Sequence, residues 1–189
     1  MGELKSAWEI AQEKANKLGK LSAEEEQQER EQRCKEIGKA MAQNYLERPK
    51  EQNIDLENYP KEEKKLLRQA ILKRLVEAMD LKNSTLLERA IQGIAMVEPT
   101  SKPLIEQINQ LVQEYEETGR KERRAIESKG REILHQLRLS GTAVGDINIE
   151  ATSEWQEACV KIIEPFEARL DSLKQELICI SNPNHAKLK

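Results

Sequence analysis

Aromatic residues are scarce in this chain: they make up 3% of its 189 residues, and phenylalanine occurs once. Histidine occurs twice and cysteine three times. Cys34, Cys159 and Cys179 contain no C-x-x-C pair and have no His at ligand spacing, so zinc and redox motifs are unsupported. An odd set of unpaired cysteines fits a reducing, cytoplasmic compartment. No run approaches eighteen apolar residues and no basic start leads into an apolar stretch, so neither a transmembrane span nor a secretory signal is expected. A Gly-rich phosphate loop, a nucleophile elbow and a His beside an acid suited to nucleophilic catalysis are all missing, so neither an enzyme nor a bound cofactor is expected. The net charge of −3 is close to balance, which gives no global field to attract nucleic acid or an acidic membrane.

What is abundant points to long helices. Charged residues reach 34% against 38% hydrophobic, rich in Glu, Lys, Gln, Leu and Ala, a composition with much surface per unit of core. The length sets one or two small domains. Leu4, Ala7, Trp8, Ala11, Ala15 and Leu18 make a short amphipathic stripe closed by Gly19. Ser22 and Glu25 form a capping box. The helix that follows is almost wholly charged or Gln from Glu24 to Arg33, before Cys34, Ile37, Met41 and Tyr45 begin an apolar face. Its first turns are therefore expected to be solvated and to project. Arg48 to Tyr59 reads as a loop.

Residues 60 to 98 are the most apolar block. Leu67, Ile71, Leu75 and Met79 form one helix face, broadened by Leu66, Leu72 and Val76. Leu87, Ile91, Ile94 and Val97 form the next, opened by a Thr85–Glu88 capping box and stopped by Pro99.

Residues 101 to 180 read as two long arms joined at Ser140–Asp146. The first arm opens with Ser101 as N-cap and Pro103 in the first turn. Leu104, Ile108, Leu111 and Tyr115 share a face that Ile133, Leu134 and Leu137 resume after a polar gap, with only Ile126 between. Gly119 and Gly130 cost about 1 kcal/mol each in a helix interior, a cost that close approach of another helix would explain; whether the helix runs unbroken through them stays open. The second arm carries Trp155, Cys159, Ile162, Phe166, Leu170, Leu173, Leu177 and Ile180 at steps of three and four, capped by Ser153 with Gln156. Pro165 lies inside it, at roughly 3 kcal/mol if the helix continues. The stripe keeps its phase across Pro165, which predicts one kinked helix. Folded about Gly145, the polar gap would face Ile162, Phe166 and Leu170, so a third helix, from the N-terminal half or from a second copy, should cover them. Thr142–Val144 with Ile147–Ile149 is the one place a small β-ribbon could form.

Three functional readings follow. Exposed apolar positions at Ile162, Phe166, Leu170 and Leu173 would make an interaction surface for another protein or a homo-oligomer. Arg120, Lys121, Arg123, Arg124 and Arg131 give the first arm a basic section able to grip nucleic-acid phosphates, although Glu122, Glu127 and Glu132 interleave with it. Glu132 and His135 have the Glu-x-x-His spacing of di-iron helical bundles, which need the motif twice; a homodimer would have to supply the second copy. Met1–Ser6 has the spacing of an N-myristoylation signal, but without a second anchor.

Residues 2–11 with 18–22, and Ser140–Val144 with Glu154–Trp155, resemble a family of small uncharacterised helical proteins of prokaryotes. The resemblance covers these segments alone. It implies a cytoplasmic helical protein and no activity. In outline only, without a motif to match, the hairpin is similar to those of helical chaperones and cochaperones. The expected architecture is all-α: residues 1–98 hold N-terminal helices and a small bundle, and residues 99–189 a long antiparallel, coiled-coil-like hairpin with a short tail.

Overall fold

The computed structural model describes residues 22–48, 54–139 and 147–181. The N-terminal amphipathic stripe, the myristoylation spacing, most of the β-ribbon and His185 lie outside them. The described residues form an all-α helical bundle: α1 (Ala23–Glu47), α2 (Lys61–Glu77), α3 (Ser84–Val97), α4 (Lys102–Gln136) and α5 (Ser153–Ser181), with 3-10 turns at Pro99–Ser101 and Ile149–Ala151. Where the ribbon could have ended, Ile149 opens the second 3-10 turn, so that end is not a strand.

α1 starts where local chemistry directs it. The Ser22 hydroxyl accepts from the Glu25 N–H at 3.2 Å, and the Glu25 carboxylate accepts from the Ser22 N–H at 2.8 Å. That backbone bond, with the Ser22 hydroxyl second, holds the Glu25 carboxyl below its ordinary value of 4.5. Residues 24–30 are exposed and the buried face begins at Cys34. At the other end Arg89 of α3 donates to the Leu46 carbonyl at 2.8 Å, satisfying a group the helix leaves open.

α1 and α2 run parallel. Arg30 reaches Glu62 (3.8 Å), Gly38 lies against Ala70, and Gln43 accepts from Arg74 (2.7 Å), in the same order along both helices. Glu47 and Lys61 therefore lie at opposite ends of the pair. The two helices touch at a glycine: a Cβ on Gly38 would sit 2.7 Å from the Ala70 Cβ. Gly93 does the same for α3, where a Cβ would be 2.8 Å from Tyr45 Cε1.

Leu67, Ile71, Leu72, Leu75 and Val76 of α2 are all buried, as are Leu87, Ile94 and Val97 of α3. Apart from Leu67, one core cluster joins them to Leu104, Ile105, Ile108 and Leu111 of α4 and to Ile163, Leu170 and Leu177 of α5, so the core is continuous across residue 98. The buried positions of α5 fall seven apart, with half-buried Phe166 and Leu173 between them, the a/d spacing of a helix seam. α5 is one helix with Pro165 inside it, and α4 is one helix through Gly119 and Gly130.

Several local expectations move. The cap of α5 is Thr152, one residue before Ser153; its hydroxyl accepts from the Trp155 N–H at 3.3 Å. α3 is capped by Asn83, which accepts from the Leu86 N–H at 3.0 Å, in place of the Thr85 box. Ser101 precedes α4 but its hydroxyl donates to the Glu98 carbonyl at 2.6 Å, so it closes the turn before the helix and does not cap it. Gly119 has nothing within 4 Å of a built Cβ, and Gly130 faces Ile147 of the connection, so neither admits a neighbouring helix.

Candidate functional site

The arms do not fold symmetrically about Gly145. Arg169 meets Glu114 at 2.7 Å and Arg123 meets Glu150 at 3.3 Å, while Ile147 lies against Gly130. Residues 147–152 thus run back along the first arm before α5 begins. This slides Phe166 past the polar gap onto Tyr115, ring to ring at 5.5 Å and 64°, with the Arg169 guanidinium 5.7 Å from the Phe166 centroid.

The surface expected at Ile162, Phe166, Leu170 and Leu173 is correspondingly changed. Leu170 is fully buried within the chain, Phe166 and Leu173 pack half-buried against the core, and Ile162 is half-buried. α2 lies against α5 and supplies the third helix; Lys82, just beyond it, pairs with Glu167 at 3.2 Å. The mismatch that pointed to self-association at these four positions is met inside one chain.

Exposed apolar side chains appear instead at the far end of the first arm. Glu150 reaches only as far as Arg123 and Ile147 only as far as Gly130, so the last two turns of α4 pass beyond the start of α5. On that overhang Ile133 is 57% exposed, Leu137 65% and Leu139 54%, with Leu134 half-buried. The helix ends there in a Schellman motif: the Arg138 N–H donates to the His135 carbonyl at 3.0 Å and the Leu139 N–H to the Leu134 carbonyl at 2.9 Å. Arg138 occupies the left-handed position usually given to Gly, at φ 59°. A side chain there is strained, and the strained turn fixes the direction in which Leu139 leaves the helix.

The basic section of the first arm is largely engaged. Arg120 pairs with Glu116 (3.7 Å), Arg123 with Glu150 (3.3 Å) and Arg131 with Glu127 (2.8 Å); Lys121 and Arg124 are exposed and form no ion pair among the described residues. Glu132 and His135 are exposed on the overhang, and no group of three His, Cys, Asp or Glu able to hold a metal occurs among the described residues.

Cys34 is 3% exposed at the wall of a cavity of about 630 Å³ shared with Glu26, Glu29, Arg30, Arg33, Tyr59 and Glu63. Burial, then the Glu63 carboxylate, pushes its thiol above the ordinary 9.0. No described helix is long and apolar enough to cross a membrane. Comparison with protein-family models, curated proteins and solved structures returns no match.

Proposed function

We propose that this protein is a non-catalytic helical interaction protein, and that it associates with a second copy of itself through the overhanging end of α4. The observation that carries the reading is the exposure of Ile133 in the last turns of α4, of Leu137 at its C-cap and of Leu139 just past its end. Ile133 and Leu137 are four apart and so share a helix face. A second helix with a similar stripe, such as the same overhang on another copy, is the simplest complement. The patch is small beside the roughly 800 Å² per partner of a stable interface, so the association is reversible at micromolar concentrations. A cytoplasmic setting belongs to the same proposal and is supported by three free cysteines, which an oxidising compartment would tend to pair.

Sedimentation velocity over a range of concentrations tests it. The sedimentation coefficient should rise with concentration, and Leu137→Glu should hold the protein as a monomer with unchanged helix content. A monomer at every concentration for the unmodified chain, or an oligomer that Leu137→Glu leaves intact, would refute it.

A further inference from the structure

Helix α2 carries a charged face that the interaction proposal does not use. Lys61, Lys64, Lys65 and Arg68 recur at i, i+3, i+4 and i+7, so they emerge from one side of the helix. Together with Gln69, Glu98 and Ile180 they line a cavity of about 210 Å³. Among the described residues none of the four cations is in an ion pair. The acids of the same turn point elsewhere, with Glu62 paired to Arg30 and Glu63 on the Cys34 cavity.

This arrangement works against the fold by itself. Lys61 and Lys64 stand in the first turns of α2, where the free N–H groups already concentrate positive potential. Lys61 with Lys65, and Lys64 with Arg68, are like charges four residues apart, which repel along a helix. An anion seated among them relieves both effects at once.

We propose that this face binds the phosphate backbone of a nucleic acid, with Lys61, Lys64, Lys65 and Arg68 each contacting phosphate and none reading a base. Three of the four are lysines, which act on phosphate as point charges. The row is about 10 Å long, more than one phosphate needs. Further along the helix Lys73 and Arg74 join Lys35 and Lys39 of α1 around a second cavity of about 350 Å³. Among the described residues no aromatic side chain lines either cavity, so these residues offer no platform for base stacking and binding is indifferent to sequence. Among the described residues Ile180 is the one exposed large apolar side chain at the first cavity, too little to anchor the helix in a lipid surface. Glu98, whose carboxylate accepts from Thr100 at 2.6 Å, and Glu77 in the second cavity oppose the anion and keep affinity moderate.

Fluorescence anisotropy of the full chain with labelled single-stranded and duplex oligonucleotides of mixed sequence, at several salt concentrations, tests the assignment. Four phosphate contacts predict a slope of log affinity against log salt near −2.8 for single strands and −3.6 for duplex. Lys65→Gln with Arg68→Gln should reduce the slope by about 2 while circular dichroism stays unchanged. Lys65→Arg should keep the slope, and neither Arg123→Ala with Arg124→Ala nor Leu137→Glu should alter it. The proposal is overturned if low salt gives no binding, or if the slope survives the α2 double variant. It is equally overturned if the Arg123 and Arg124 variant abolishes binding, or if vesicles of phosphatidylserine bind as tightly as the oligonucleotides.

Discussion

Gly38 and Gly119 both sit inside long helices, yet their surroundings are opposite. At Gly38 a methyl group would meet the Ala70 Cβ at 2.7 Å and the Leu67 carbonyl at 3.0 Å, neither of them the end of a flexible side chain. Gly38→Ala is therefore expected to destabilise the protein by about 1–3 kcal/mol, as overpacking does. At Gly119 the same methyl meets nothing within 4 Å, and Gly119→Ala should stabilise by about 0.5–1 kcal/mol through helix propensity alone. Urea unfolding of the two variants decides the matter, and shifts of equal sign would remove the packing role assigned to Gly38. The sequence makes Gly119 the conspicuous residue, because it interrupts a polar helical tract. Close approach depends on where two helices cross, and nothing near Gly38 in the sequence reports that crossing.

Helix ends and stripes were the most legible elements. The Ser22–Glu25 box could be read because both partners lie within one turn and are held by backbone bonds. Thr152 and Asn83 cap the helices where the sequence points to Ser153 and Thr85, because residues one or two positions apart offer equivalent capping oxygens and the entry path of the chain selects among them. The end of α4 carries an element-level prediction. Arg138 holds a left-handed conformation at φ 59° that costs an L-residue with a side chain about 1–2 kcal/mol. Arg138→Gly should therefore stabilise by about 1 kcal/mol in denaturant unfolding; no change, or a loss, would mean that the arginine side chain compensates the strain. The basic face of α2 is present in the sequence as a spacing of i, i+3, i+4 and i+7, but the same helix supplies the best apolar stripe and its acids are adjacent in sequence. Only the helix geometry separates Glu62 and Glu63 from the four cations.

For the molecule as a whole, apolar cover is uneven. The core cluster ends on α4 at Leu111, with Tyr115 packed half-buried against it; beyond, among the described residues, the arm is held by Ile126, Ile149 and the Arg123–Glu150 ion pair. Surface pairs of this kind are worth little. Native-state hydrogen exchange should therefore release the amides of residues 120–136 before those in the middle of α2 and α3. Exchange of all three at one common rate would mean that the arm and the body open as a single unit.

By itself the sequence determined that the chain is all-α, where its long helices run, that Pro165 does not divide the last of them, and which face of each is apolar. These follow from periodicity and from bonds within a turn, both local. Tertiary structure decided that α1 and α2 run parallel, that Phe166 meets Tyr115 and not the polar gap, and that Leu170 is buried while Ile133 and Leu137 are not. The physical reason is that apolar burial has no direction. Any one stripe fits several partners, and the choice among them is made by contacts such as Gly38 on Ala70 and Ile147 on Gly130, which exist only once the helices have met.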